Sequence, residues 1–151
     1  MNIIQQYIKD VISITSEKQL RYYTYLFENM QYFTDKDLYI PQTKKEIKYI
    51  DSAIPKRCFD NCIKIAMKDK KFRYFEGFYL GGKIPFPLEH GFLVTEDNKV
   101  FDPTAMCIDL EVSLYGGIEI PLNHVMLNAP FSNLAKYYNT YIATPKRAAI
   151  F

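Results

Sequence analysis

The sequence predicts an α+β fold in which N-terminal helices and a cysteine-bearing helix pack on an antiparallel sheet. Three observations predict it. Apolar residues recur at helical spacing from Ile3 to about Met30. A further helical run opens at Cys58, and aromatic or aliphatic extended runs follow it at Phe72–Leu80 and His90–Thr95. The order is therefore helices first, then closely spaced strands joined by short turns, which is an α+β order.

In chain order, Ile4, Tyr7, Ile8, Val11 and Ile12 form one helical stripe, and Leu20, Tyr23, Leu26 and Phe27 a second. The second helix is expected to be capped by Thr15 or Ser16, with Glu17 and Lys18 in its first turn. Tyr32–Thr43 carries Asp35, Asp37 and Pro41 and reads as a loop, and Lys44–Ile50 as a helical turn. Pro55 then sets a helix start near Cys58. After the strand Phe72–Leu80, Gly81-Gly82-Lys83 turns the chain, and Ile84-Pro85-Phe86-Pro87-Leu88 is an extended lead into the strand from His90. Short strands or edges are expected at Ile108–Val112 and Ile118–Pro121, and a helix at Phe131–Ile142 with Ser132 as its cap. One domain is expected over residues 1–151, with a helical part at 1–50, a core at 55–125, and a C-terminal helix and tail at 130–151.

Composition excludes several classes. A formal charge of +2 gives no strong field for nucleic acid or an anionic membrane. The cluster Lys64, Lys68, Lys70, Lys71 and Arg73 offers contacts to phosphate or an acidic partner, but a lysine-rich helix end is more often a solvated face. Three cysteines are an odd number, so free thiols in a reducing compartment are expected. Without a signal-type start or a bilayer-length apolar run, a cytoplasmic location is the expectation.

Cys58, His90 and Asp102 stand in the order a thiol-based acyl-transfer site needs. A thiol in the first turn of a helix feels the positive end of the helix dipole, and Arg57 beside it also favours the thiolate. The competing reading makes Cys58, Cys62, Ile65 and Ala66 one buried stripe. Cys62, one turn on, is expected to pack inward, and His124 to be structural. Zinc binding by Cys58, Cys62 and His90, with Cys107 or His124, fits no common ligand spacing. Asp102 depends on hairpin register. A tight hairpin with Thr95 opposite Val100 puts it on the face opposite His90. A three-residue loop, Glu96-Asp97-Asn98, with Asn98 left-handed and Thr95 opposite Lys99, puts the two on one face. For the oxyanion, the backbone N–H of Cys58 is the natural donor, with Asn61 or Gln42 as side-chain candidates. Glu76, alone among aromatics, either lines the cleft or points outward.

Arg57-Cys58-Phe59-Asp60-Asn61, Glu89-His90-Gly91-Phe92 and Lys99-Val100-Phe101-Asp102-Pro103-Thr104 together resemble the transglutaminase-like and papain-like cysteine enzymes, over roughly a third of the chain. The resemblance implies a papain-like or transglutaminase-like core and a Cys58/His90/Asp102 triad. It also implies acyl transfer through a thioester on a protein or peptide-like amide, as in a protease, amidase, deamidase or transglutaminase, with no cofactor. The chain departs from the papain pattern upstream of the cysteine, where Asp51 and Ser52 replace the usual glutamine. That departure keeps a catalytically inactive protein-binding module on the same fold as the alternative, and the thirteen Tyr and eleven Phe would suit such a surface.

Overall fold

A computed structural model of the chain describes residues 1–125 and 131–143. The helices are α1 (Ile3–Ile14), α2 (Glu17–Asn29), α3 (Lys44–Asp51), α4 (Cys58–Lys68), α5 (Pro103–Cys107) and α6 (Leu134–Tyr137). The strands are β1 (Gln31–Thr34), β2 (Arg73–Gly81), β3 (Leu88–Val94), β4 (Val100–Phe101) and β5 (Val112–Glu119). The architecture is α+β, as the sequence predicts.

Local chemistry explains most boundaries. Asn2 and Gln5 exchange side-chain and backbone hydrogen bonds in a capping box that starts α1. Ser16 is the N-cap of α2, but its side chain makes no capping bond. Thr43 caps α3 by accepting from the Glu46 N–H. Asp102 caps α5 by accepting from the Ala105 N–H, with Pro103 at the first helical position, where its missing N–H costs nothing.

Among the described residues the sheet order is β1-β5-β2-β3-β4, antiparallel at every pairing. Alternation along the strands gives it two buried faces. One carries Tyr74, Phe78, Leu93, Phe101 and Ile118 and packs on Ile4 and Ile8 of α1, Leu26 of α2, and Cys62, Ile63, Ile65 and Ala66 of α4. The other carries Phe33, Phe75, Phe92, Val94, Val100 and Tyr115, with Ala105 of α5 against it.

Three expectations change. Tyr32–Thr43 is not wholly a loop, because its start belongs to β1, which pairs with β5 from Gln31 opposite Gly117 to Thr34 opposite Leu114. The two short strands expected at Ile108–Val112 and Ile118–Pro121 are one strand, β5, lying between and across them. Its Gly116-Gly117 pair lowers strand propensity in sequence, yet close packing requires it. A Cβ on Gly116 would come 2.7 Å from the Tyr32 ring and one on Gly117 2.8 Å from the Phe92 ring, while a Cβ on the facing Gly77 would come 2.0 Å from the Gly116 carbonyl oxygen. The helix expected from Phe131 starts at Leu134 behind Asn133 and passes into π-helical turns at Tyr138–Ala143. The tail expected beyond residue 143 lies outside the described residues.

Candidate functional site

The hairpin register that Asp102 needs is the one observed. The Thr95 N–H donates to the Lys99 carbonyl, and Val94 and Leu93 pair with Val100 and Phe101. Asn98 takes φ 62°, left-handed, as a three-residue loop with an Asn in that position allows. The next position along β4, Asp102, falls beside His90, and their side chains meet at 2.7 Å between Nε2 and Oδ2. Both are buried, His90 to 5% exposure and Asp102 to 2%.

The carboxylate is held at three points. Its Oδ2 accepts from the Tyr115 hydroxyl at 2.8 Å as well as facing His90, and its Oδ1 accepts from the Ala105 N–H at 3.1 Å. Burial, then the charge and hydrogen bond of Asp102, push the Tyr115 phenol well above its ordinary value, so it stays a donor. Burial alone would push His90 down. The Asp102 charge and hydrogen bond outweigh it, and with a hydrogen bond to Cys58 and the Cys58 charge they raise the imidazole to about 10. Nε2 is the ring nitrogen that faces the carboxylate, and Cys58 interacts with the same imidazole. Tyr79 covers the imidazole, its ring centroid 4.2 Å from that of His90.

Cys58 comes to this place on the first turn of α4. The helix seats on β3 at Gly91, where a Cβ would come 2.8 Å from Phe59 Cδ1 and 3.5 Å from the Cys58 carbonyl oxygen. One turn on, the Cys62 thiol donates to the Gly91 carbonyl at 3.6 Å. Lys56, at φ 66°, turns the chain into the helix at a cost of roughly 1–2 kcal/mol. Arg57 is the N-cap and makes no side-chain capping bond, so the first-turn N–H groups, that of Cys58 included, carry no side-chain cap.

The three thiols differ in setting. Cys58 is half-buried and free. Cys62 is fully buried, and burial followed by the Asp102 charge pushes it far up, so it stays an inert thiol in the core. Burial also raises Cys107, which donates to the Thr104 carbonyl at 3.1 Å. His124 stacks on Tyr141 at 3.8 Å between centroids.

Asn61 and Glu76, the side-chain candidates for oxyanion or substrate binding, have other partners. Asn61 has no proton to spare, because its amide nitrogen donates to the Ile54 carbonyl and the Thr104 hydroxyl, each at 2.9 Å, and its oxygen accepts from the Ile54 N–H. It clamps the segment before Cys58 onto α5. Glu76 neither lines a cleft with His90 nor points outward. It stands on the opposite face of the sheet, 1% exposed, and accepts from the Tyr74 and Ser132 hydroxyls and from the N–H groups of Asn133 and Leu134. Its job is to anchor α6. No described contact joins Gln42 to Cys58, His90 or Asp102; its N–H donates to Glu46.

The sequence reading missed Tyr115 and Tyr79. They pair directly across β2 and β5, so only the position of β5 reveals them. Asp102 and Tyr115 also line a cavity of about 1110 Å³ bounded by the β2–β3 turn, α5 and the start of β5. No helix among the described residues is long and apolar enough to cross a membrane. No protein-family model, curated protein or solved structure matches the chain.

Proposed function

We propose that the chain is a thiol-dependent acyl-transfer enzyme with a papain-like or transglutaminase-like core and a Cys58/His90/Asp102 triad. The observation that carries this reading is the buried His90–Asp102 pair at 2.7 Å with Cys58 interacting on the same imidazole. A structural histidine would need no such arrangement, whereas a thiolate/imidazolium pair needs all three parts.

In the proposed reaction the Cys58 thiolate attacks the carbonyl of a protein or peptide-like amide and forms the C–S bond. The oxyanion is met by the Cys58 N–H at the uncapped helix start. Protonated His90 gives its proton to the leaving amine as the C–N bond breaks, leaving a thioester on Cys58. Water or a second amine then attacks the thioester while His90 takes the proton, and the thiolate leaves. Asp102 keeps the imidazole oriented and stabilises its charged form throughout. None of these steps requires a cofactor, and a cytoplasmic setting suits a free nucleophilic thiol.

The second reading, a catalytically silent binding module on the same fold, is favoured by one observation: Asn61 is fully committed, so the oxyanion has no side-chain donor assigned. Alkylation by iodoacetamide near neutral pH separates the two. The enzyme reading expects Cys58 to react well ahead of Cys62, Cys107 and a model thiol, and Cys58→Ala to abolish turnover of amide and ester substrates. Alkylation of Cys58 at the model-thiol rate, with no change in cellular activity for Cys58→Ala, would sink it.

A further inference from the structure

The basic run that stands out in the sequence is divided by the fold. Lys71 pairs with the buried Glu46 carboxylate, and Arg73 donates to Glu119 at 2.9 Å and to the Thr95 carbonyl at 3.0 Å. Neither is available to a ligand. Lys64 and Lys68 instead face a cavity of about 330 Å³ between α3 and α4, where Lys45 and Lys48 of α3 bring the ammonium groups to four.

The acids nearby do not balance this charge. Asp60 pairs with Lys64 at 2.9 Å and Asp69 lies 3.9 Å from Lys45, but neither carboxylate lines the cavity. Lys48 and Lys68 have no ion pair among the described residues. The walls between the lysines are mainly apolar, the buried Tyr49 ring, Ile65, Ala53 and the half-exposed Ile54, with Ser52 and Asn61 also on the lining. The Lys45 and Lys68 ammonium groups stand 5.9 and 5.5 Å from the Tyr49 ring centroid, which holds them at the rim. A concave, mainly apolar floor under several positive charges is the form of a small-ligand site, and the volume falls at the low end of the roughly 300–1,000 Å³ such sites occupy.

We infer that this cavity binds a small amphipathic anion, its carboxylate or phosphate head at Lys48 and Lys68, with the paired Lys45 and Lys64 adding to the positive field, and its apolar body on Tyr49 and Ile54. A nucleic acid would need the basic stripe to continue through Lys71 and Arg73, which are already paired. The larger cavity offers no competing site for an anion, because Asp35, Asp109 and Glu111 stand on its lining with Lys83 as its one basic residue. The site is separate from the triad and does not rest on the acyl-transfer reading.

Anilinonaphthalene sulfonate, titrated by fluorescence onto the whole protein, is the probe. Wild type should bind it saturably, and added sodium chloride should weaken binding. Lys48→Glu with Lys68→Glu should weaken it about tenfold or more, and Lys48→Gln with Lys68→Gln to a lesser degree, with melting curves confirming that each variant is folded. Displacement by decanoate against displacement by phenyl phosphate distinguishes the two head groups. Absence of saturable binding, or dye affinity unchanged in both folded variants, overturns the inference. So does a lysine-dependent affinity for oligoglutamate without affinity for the dye or decanoate, which would make the groove a dock for an acidic protein segment.

Discussion

The Tyr115 hydroxyl donates to Asp102 Oδ2, the same oxygen that faces His90. Two donors on one oxygen fix the carboxylate rotamer, and the Ala105 N–H on Oδ1 prevents it from turning. Tyr115 is thus a positioning residue that acts on the imidazole through Asp102. Tyr115→Phe removes one buried hydrogen bond and should cost about 1 kcal/mol in urea unfolding. A less neutralised Asp102 holds the imidazolium more firmly, so the upper limb of the Cys58 alkylation–pH profile should move to higher pH. A variant with lowered stability and an unmoved profile would reduce Tyr115 to a packing role.

His90 gives the protein a defined pH dependence. Its folded value is raised to about 10 from an ordinary 6.5, so the fold favours the protonated form. That contribution is fully present below pH 6.5 and is lost as pH rises through about 10. In Asp102→Asn the two largest upward causes are removed and only Cys58 is left to oppose burial, so the contribution shrinks. The melting-temperature difference between wild type and Asp102→Asn should therefore be widest below pH 6.5 and shrink toward pH 10. Iodoacetamide should also alkylate Cys58 in Asp102→Asn about a hundredfold more slowly. A melting difference constant across this range would contradict the pairing.

Glu76 tests the separation of site from scaffold. Glu76→Ala strands the Tyr74 hydroxyl and the N–H groups that start α6, at roughly 1–3 kcal/mol for each buried donor left unpaired. The variant should lose several kcal/mol of stability and become protease-sensitive around Leu134–Tyr137. While it remains folded, Cys58 should alkylate at the wild-type rate, because Glu76 and His90 point from opposite faces of the sheet.

Gly91 links the helix to the strand. A Cβ there meets Phe59 Cδ1 at 2.8 Å and Phe59 Cα at 3.3 Å, so Gly91→Ala must push the first turn of α4 away from β3. Overpacking of this kind costs about 1–3 kcal/mol. The displaced turn carries Cys58, so the rate of thiol alkylation should fall further than the stability loss explains. Unchanged reactivity in a folded variant would show that α4 does not set the position of Cys58.

Much of the frame around Cys58, His90 and Asp102 was legible in the sequence. Helical spacing placed α1, α2 and α4, and Pro55 located the start beside Cys58. The Asp102 question was reduced to two registers, because strand alternation has a period of two and a loop one residue longer exchanges the faces. Asn98, tolerant of positive φ, made the three-residue loop possible. Asn61 misled because an amide near a helix start resembles a free donor. Its partners, Ile54 and Thr104, are seven and forty-three residues away in sequence, and only folding brings them to it.

By itself, then, the sequence determined the α+β class, the helix-borne cysteine and the order of Cys58, His90 and Asp102, since these depend on local periodicity and turn chemistry. Tertiary structure decided that Tyr115 holds Asp102, that Glu76 anchors α6 rather than entering the site, and that Lys45 and Lys48 join Lys64 and Lys68 around one cavity. Each of these depends on which elements become neighbours. Gly77, Gly116 and Gly117 settle one such neighbourhood, since a Cβ on Gly77 would meet the Gly116 carbonyl, one on Gly116 the Tyr32 ring and one on Gly117 the Phe92 ring, a constraint that strand propensity reads as a weakness and packing turns into a requirement.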